Sequence, residues 1–529
     1  MKRAHISLEA TIQRARRNTL GDILSRSTAR TPDKLAFTYR NRKVTYKELE
    51  ILVNKTADGL RKRGIKKGDR LAIFSRNNLD FVIVNFALAK LGAVFIPINF
   101  MLRGNDIAYI IEHSEAIGIF TEKEHIETIE EAISQEVLRH RFVLETEGEL
   151  DIFGWESLHS IQKDAREEPI EETIYDDDLA HILYTSGTES DPKGVMLSHK
   201  SIISEYVSCI VDGSMESSDI LVHALPFYHS AQLHVFLGPS VYLGATGVIL
   251  DEANPVTIME TVEINKANQL FAPPTVWIAI LRHEKFDTYD LSSLEKCYYG
   301  AAIMPREVLR ELTERLPNAC FWNFYGQTEV APLATALQPE DQLRKLGSAG
   351  RPTLNVETKI VDDNGEEVPR GEVGEIVHRT PHAMLGYLNA PKQTEEAFKN
   401  GWFHSGDLGT MDEEGYITIV DRKKDIIISG GVNVASREVE EVIYLMEEVA
   451  EVAVIGIPDD YWIEKITAII ILKDGYSLTE EEVITFCNER LPAFKTPKAV
   501  YFQKSLPKNP SGKILKKDLR NQFAKKNEE

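Results

Sequence analysis

Three consecutive segments constrain this chain most: a strand over 70–74, a helix over 79–91 and a second strand over 93–98. Strand-like and helix-like runs alternate in this way through the first four hundred residues, and that alternation is the pattern of an α/β fold. The longest apolar stretch, 81–98, is broken by Asn85, Lys90, Gly92 and Pro97, so it reads as a helix leading into a buried strand rather than a membrane span.

A chain of 529 residues exceeds one ordinary core. Near Asp421 the texture changes to Asp421-Arg-Lys-Lys-Asp-Ile-Ile-Ile-Ser-Gly-Gly431, a charged stretch that enters a short strand and a glycine pair. The expected division is a large domain of βαβ-type sheets over 1–421 and a small, mobile α+β domain over 422–529. In the small domain we expect a helix after Ser436, strands over 452–457 and 466–472, and a helix opened by a Thr479-x-x-Glu482 capping box. The acidic region 122–178 is expected to form solvated helices and a connection.

Composition narrows the partners. A net charge of −21 argues against nucleic acid, while anionic ligands need only local positive charge. Cys209, Cys297, Cys320 and Cys487 lack any C-x-x-C spacing, so neither a disulfide framework nor a zinc site is indicated, and a reducing cytoplasm fits best. The basic residues of the first eighteen positions read as a surface arm, with an organellar targeting segment as the alternative. Peripheral membrane contact and a homodimer stay open.

The chemistry concentrates in five segments. Tyr184-Thr-Ser-Gly-Thr-Glu-Ser-Asp-Pro-Lys-Gly194 follows an apolar strand with hydroxyls, a flexible Gly187 and one cation, Lys193, which suits a loop wrapped around phosphates. It lacks the Gly-x4-Gly-Lys-Ser/Thr spacing of a P-loop. Asn323-Phe-Tyr-Gly-Gln-Thr-Glu329 joins a ring, a hydroxyl and a carboxylate. Ser405-Gly-Asp407 offers a carboxylate on a turn. Arg422, Lys423 and Lys424 form a charged junction, and Pro507-Lys-Asn-Pro-Ser-Gly-Lys513 is a turn ending in lysine.

In this order the segments resemble the adenylate-forming superfamily of acyl-CoA synthetases, firefly-type luciferases and peptide-synthetase adenylation domains, from about Thr19 to Arg520. The texture is most similar to that of stand-alone fatty acyl-CoA ligases. The resemblance implies ATP, Mg2+ and CoA as cofactors. Thr185, Ser186, Gly187 and Thr188 would hold the β- and γ-phosphates with Lys193, and Thr188 and Glu329 would bind Mg2+. Gly300, Ala301 and Ala302 would face Tyr325 across the adenine, within the nucleotide segment that also holds Asn323, Gly326 and Thr328. Asp407, assisted by Arg422, would accept the ribose hydroxyls. Lys513 would reach the carboxylate and α-phosphate, Lys424 would be the hinge, and Gly430 and Gly431 would pass the pantetheine arm. His229, in Pro226-Phe-Tyr-His229, would sit at the mouth of the acyl site, with Leu233, Trp277, Tyr299 and Val330 as apolar walls.

The acyl segment contains no Asp or Glu, so an amino-acid substrate would leave its ammonium unpaired. The expected substrate is a medium- or long-chain fatty acid. The alternatives are an aryl acid, a carrier-protein ligase, a luciferase-like oxygenase, and, from another class, a non-catalytic acyl- or nucleotide-binding protein. Three departures from the family pattern stand out. Glu189 and Ser190 occupy the phosphate loop, where Glu189 is expected to point outward; Ser436 replaces a common Pro; and Ile463 replaces a common Gly.

Overall fold

The structure is a computed structural model that describes residues 8–133, 137–146, 148, 152–185, 192–300, 304–459, 461–508 and 514–527. The chain divides into two compact units. Described residues up to Thr185, with Pro192–Glu357 and Arg379–Glu396, form the first; Thr358–His378 and the described residues from Ala397 onward form the second.

The first unit carries two sheets among its described residues. One runs, in spatial order, through Ser348–Pro352, Leu333–Leu337, Cys320–Gly326, Lys296–Gly300, Gln269–Phe271, Ile220–His223, Thr246–Ile249, Leu35–Tyr39 and Arg42–Thr45. It is parallel from Cys320–Gly326 to Leu35–Tyr39 and antiparallel at both ends. The other runs through Gly386–Tyr387, Lys193–Ser198, Leu179–Thr185, Val94–Ile98, Arg70–Phe74, Gly118–Thr121, His140–Val143 and Glu156–Ser157. Its strands are parallel except for the hairpin and short edge strand at the Leu179–Thr185 side. This is the expected α/β class.

The strand–helix–strand unit of the sequence is present as Arg70–Phe74, Leu79–Leu91 and Val94–Ile98. Asn78 caps the helix by accepting the Phe81 N–H at 2.8 Å, and Gly92, at φ +69°, ends it in the left-handed conformation that favours glycine. Every residue of the helix is buried. Its lysine, Lys90, is accommodated because the ammonium meets Glu50 and Asn54, whose Oδ1 lies at 2.8 Å.

The acidic region departs from expectation. It contributes the strands His140–Val143 and Glu156–Ser157 to the second sheet. Phe142 and Val143 bury completely, and that apolar pair outweighs the surrounding charge in setting the local structure.

The second unit holds the antiparallel strands Trp402–Met411 and Ile417–Arg422, which pair Asp407 with Arg422 across the ladder. A separate sheet orders Val432–Val434, Ile427–Ser429, Ile463–Leu472 and Val449–Asp459, with Ala499–Phe502 on Ile463–Leu472. Helices Ser436–Ile443 and Glu480–Asn488 stand where the sequence placed them, the latter behind a complete Thr479/Glu482 capping box. No helix among the described residues is long and apolar enough to cross a membrane.

Candidate active site

In the first unit, Leu179–Thr185 and Lys193–Ser198 form an antiparallel hairpin that sets Thr185 opposite Lys193. Gly194 is closely packed: a Cβ there would lie 3.0 Å from Ile182 Cγ2 and 3.3 Å from Leu388 Cβ. The loop residues Ser186, Gly187, Thr188, Glu189 and Ser190 lie outside the described residues, as do Ala301, Ala302 and Lys513.

The Lys193 ammonium sits 4.8 Å from the ring centroid of Tyr387, over its face. The Tyr387 hydroxyl donates to Glu329 Oε1 at 2.8 Å, while the Met384 N–H donates to the Glu329 carbonyl at 2.8 Å. Beside Glu329, Thr328 and Ser230 share a hydrogen bond at 3.1 Å between hydroxyls. Apart from the Lys193 ammonium on the ring face, the side-chain polar groups gathered here, those of Glu329, Tyr387, Thr328 and Ser230, offer oxygens, a set that suits a hard cation.

Gly300 ends the strand Lys296–Gly300 opposite Phe324, and a Cβ on it would lie 2.5 Å from the Phe324 carbonyl, so no larger residue fits. Gly326 is closer still: its Cβ would lie 1.8 Å from the Pro332 carbonyl. Asn323 donates its amide to the Ser348 carbonyl at 3.0 Å, which ties the strand Cys320–Gly326 to the segment that carries Ser348. Tyr325 pairs with Thr335 on the adjacent strand and is partly exposed.

The Pro226–His229 segment leaves strand Ile220–His223 and enters a π-helix over Ala231–Leu237. Asn77 clamps it: the side-chain amide donates to the Leu225 carbonyl at 2.8 Å and accepts the Phe227 N–H at 2.7 Å. His229 Nδ1 accepts the Ala231 N–H at 3.2 Å, and desolvation pushes the imidazole pKa down. Leu233, Trp277, Tyr299 and Val330 are all buried. Two of these rings are anchored by their polar ends. Trp277 Nε1 donates to the Tyr298 carbonyl at 3.0 Å, and the Tyr299 hydroxyl donates to Gln342 Oε1 at 2.6 Å.

In the second unit Arg422 Nε stands 3.2 Å from Asp407 Oδ1, with Asp407 buried and Gly406 at φ +71° in the turn before it. The Asp421 carboxylate accepts the N–H of Ser436 at 2.6 Å and its hydroxyl at 2.7 Å, so it caps helix Ser436–Ile443 from a distant strand. Lys516 donates to the Ser436 hydroxyl and pairs with Glu440 at 2.7 Å. Arg520 pairs with Asp425 at 2.6 Å and approaches the Lys424 carbonyl. Gly430 and Gly431, at φ +60° and +82°, turn the hairpin Ile427–Ser429 to Val432–Val434.

Sequence comparison decides the family. Residues 24–388 match the family described as AMP-binding enzyme, and residues 438–513 match the AMP-binding enzyme C-terminal domain. The chain belongs to the AMP-binding enzyme family. Within it, the chain is 34% identical to a feruloyl-CoA synthase from Amycolatopsis sp, covering 96% of this chain and 100% of that one. It is 31% identical to a long-chain-fatty-acid–CoA ligase from Bacillus subtilis (strain 168), covering 95% and 94%. The fold is similar to that of ATP-bound MatB from Rhodopseudomonas palustris, with TM-score 0.87, 29% identity, and 95% of this chain and 99% of that one covered. The protein is thus an AMP-binding enzyme of the acid–CoA ligase type, with a large N-terminal and a small C-terminal domain.

Within this AMP-binding enzyme, sequence reasoning missed Asn77, Tyr387 and Asp421. A buried amide, a tyrosine after glycine and an aspartate before a charge run carry no local signal; their partners lie 150, 58 and 15 residues away. The interior also holds neutral histidines. Burial pushes His199 and His382 down to about 4 and His223 and His234 down to about 3.

Proposed function

We propose that this chain is an AMP-forming carboxylic acid–CoA ligase whose acid has an uncharged, apolar tail. The observation that carries it is the Glu329 turn: a carboxylate, held by Tyr387, beside the Thr328 and Ser230 hydroxyls, on the segment that carries Tyr325. Bound at Thr188 and Glu329, Mg2+ would supply charge neutralisation for the phosphates.

The substrate carboxylate attacks the α-phosphorus of ATP; an acyl–phosphate bond forms and pyrophosphate leaves. The CoA thiol then attacks the acyl carbonyl, loses its proton, and AMP leaves. Both nucleophiles come from substrates, so the protein supplies position and charge. Asp407, set by Arg422, receives the ribose hydroxyls; Gly300 and Tyr325 flank the adenine; Lys513 meets the charge that grows at the α-phosphate. The large domain 1–421 and small domain 422–529 turn about Lys424 between the steps, and Gly430 and Gly431 leave room for pantetheine. His229 stands by the substrate carboxylate as a neutral imidazole.

The fatty-acid reading rests on apolar Leu233, Trp277 and Val330 and on the absence of a carboxylate in 230–236. An aryl acid is the second reading, supported by the two anchored rings, since swinging Trp277 or Tyr299 aside to lengthen a tunnel would break a buried hydrogen bond. Feruloyl-CoA synthase as a relative agrees with it.

The test is pyrophosphate exchange into ATP across saturated acids and benzoate- or cinnamate-type acids, followed by thioester formation with CoA. For a fatty-acid ligase, two more methylenes raise kcat/KM roughly fifteenfold until the tunnel fills, from about 0.8 kcal/mol each. Aryl acids outperforming the whole series would overturn the fatty-acid reading alone. No AMP from any acid would overturn the ligase reading.

A further inference from the structure

One side chain stands between the two charges that this reading assigns to the nucleotide. Tyr387 lies on the two-residue strand Gly386–Tyr387, paired with Val195 and Met196 just beyond Lys193. Its N–H donates to Thr394 Oγ1 at 2.9 Å, and that hydroxyl donates to the Ala390 carbonyl at 2.9 Å. The flanking residues are fixed too: Leu385 and Leu388 donate to the carbonyls of Met196 and Gly194, both at 2.8 Å. A backbone held at so many points leaves the buried ring little freedom.

The ring uses its two chemistries separately. The hydroxyl donates to Glu329 Oε1, and the face carries the Lys193 ammonium. The Met384 N–H fixes the other end of the same residue, at the Glu329 carbonyl.

We propose that Tyr387 is a positioning residue that sets the Glu329 carboxylate for the cation accompanying ATP. The inference rests on the ligase reading above, in which Glu329 meets that cation. A hydrogen bond to one carboxylate oxygen fixes the plane of the group, and outer partners of this kind are typically worth 10–100-fold in metal affinity.

Tyr387→Phe isolates the effect, because it keeps the ring under Lys193 and removes only the hydroxyl. ATP affinity is measured by titration calorimetry in Mg2+ and again in EDTA, together with direct Mn2+ binding to the ATP complex by electron spin resonance. The ratio of the two ATP affinities should fall about tenfold in the variant, with Mn2+ binding weakened to match and the EDTA affinity unchanged. An undiminished ratio in the variant, beside a clear Mg2+ gain in the wild type, overturns this inference alone. So does an equal loss in Mg2+ and EDTA, which is what general damage to the site would give. A wild type without any Mg2+ gain overturns the role of Glu329 beneath it, and this inference with it.

Discussion

Asn77 and Phe227, 150 residues apart in sequence, are joined at 2.7 Å by a side-chain carbonyl and a backbone N–H. The same amide reaches Leu225, so the residues on either side of Pro226 are held by one buried group. Asn77→Asp keeps the acceptor but loses the donor to Leu225. We expect about 1–3 kcal/mol of lost stability from the unsatisfied carbonyl. The KM for the acid should rise about tenfold for each 1.4 kcal/mol that reaches the bound state, while the KM for ATP stays within about twofold. Equal changes in both constants would mean that Asn77 does not act on the acyl segment.

Ile463 sits at φ +69°, where a branched L residue is strained, and the residue is 59% exposed. The conformation costs about 1–2 kcal/mol, and glycine returns part of that as chain entropy, about 0.5–1 kcal/mol. Ile463→Gly is therefore expected to stabilise the protein by roughly 0.5–1 kcal/mol in urea unfolding. A lower midpoint in the variant would contradict this.

Acid should unfold the protein through its interior imidazoles. His199, His223, His234 and His382 bind a proton in the unfolded chain near 6.5 but only near 3 to 4 when folded. Their stabilisation is complete above about pH 6.5 and is lost as pH falls toward 4, at about 1.4 kcal/mol per histidine per pH unit. Melting temperature measured from pH 7.5 to 5 should drop with a slope of several protons. His382→Gln should reduce that slope by one; an unchanged slope would locate the effect elsewhere.

The two half-reactions are expected to separate genetically. Lys513→Ala should cost about 2.7–4 kcal/mol in adenylation and spare thioester formation from synthetic acyl-AMP. Lys424→Pro should harm the CoA step more, because a fixed φ would stiffen the hinge proposed there. Matching losses in both steps for both variants would argue against domain alternation.

Local pattern was enough for the strand–helix–strand unit at 70–98 and for the capping box at Thr479, because each depends on neighbours in sequence. Strand order was not legible: Ile220–His223 lies between Gln269–Phe271 and Thr246–Ile249, an arrangement fixed by long-range packing. In the acidic region, the apolar signal of Phe142 and Val143 is too short to stand out against its charges. Asp407 and Arg422 could each be picked out by type, yet their pairing depends on ladder register. Ser436 could be marked as a departure from proline, whereas its bond to Asp421 could not be inferred from type or spacing.

Asp421 and Arg422 are successive residues of one strand and therefore project to opposite faces, the first to the start of helix Ser436–Ile443 and the second to Asp407. The parity of this strand is consequently worth more than its length. Residues added to the Asp412–Gly415 turn leave both partnerships intact if the ladder beyond it keeps its register. A single residue inserted between Thr418 and Asp421 would exchange the two faces, turning the carboxylate toward Asp407 and the guanidinium toward the helix N-terminus, with like charges opposed at both. Natural or designed variation in this stretch should therefore come in steps of two.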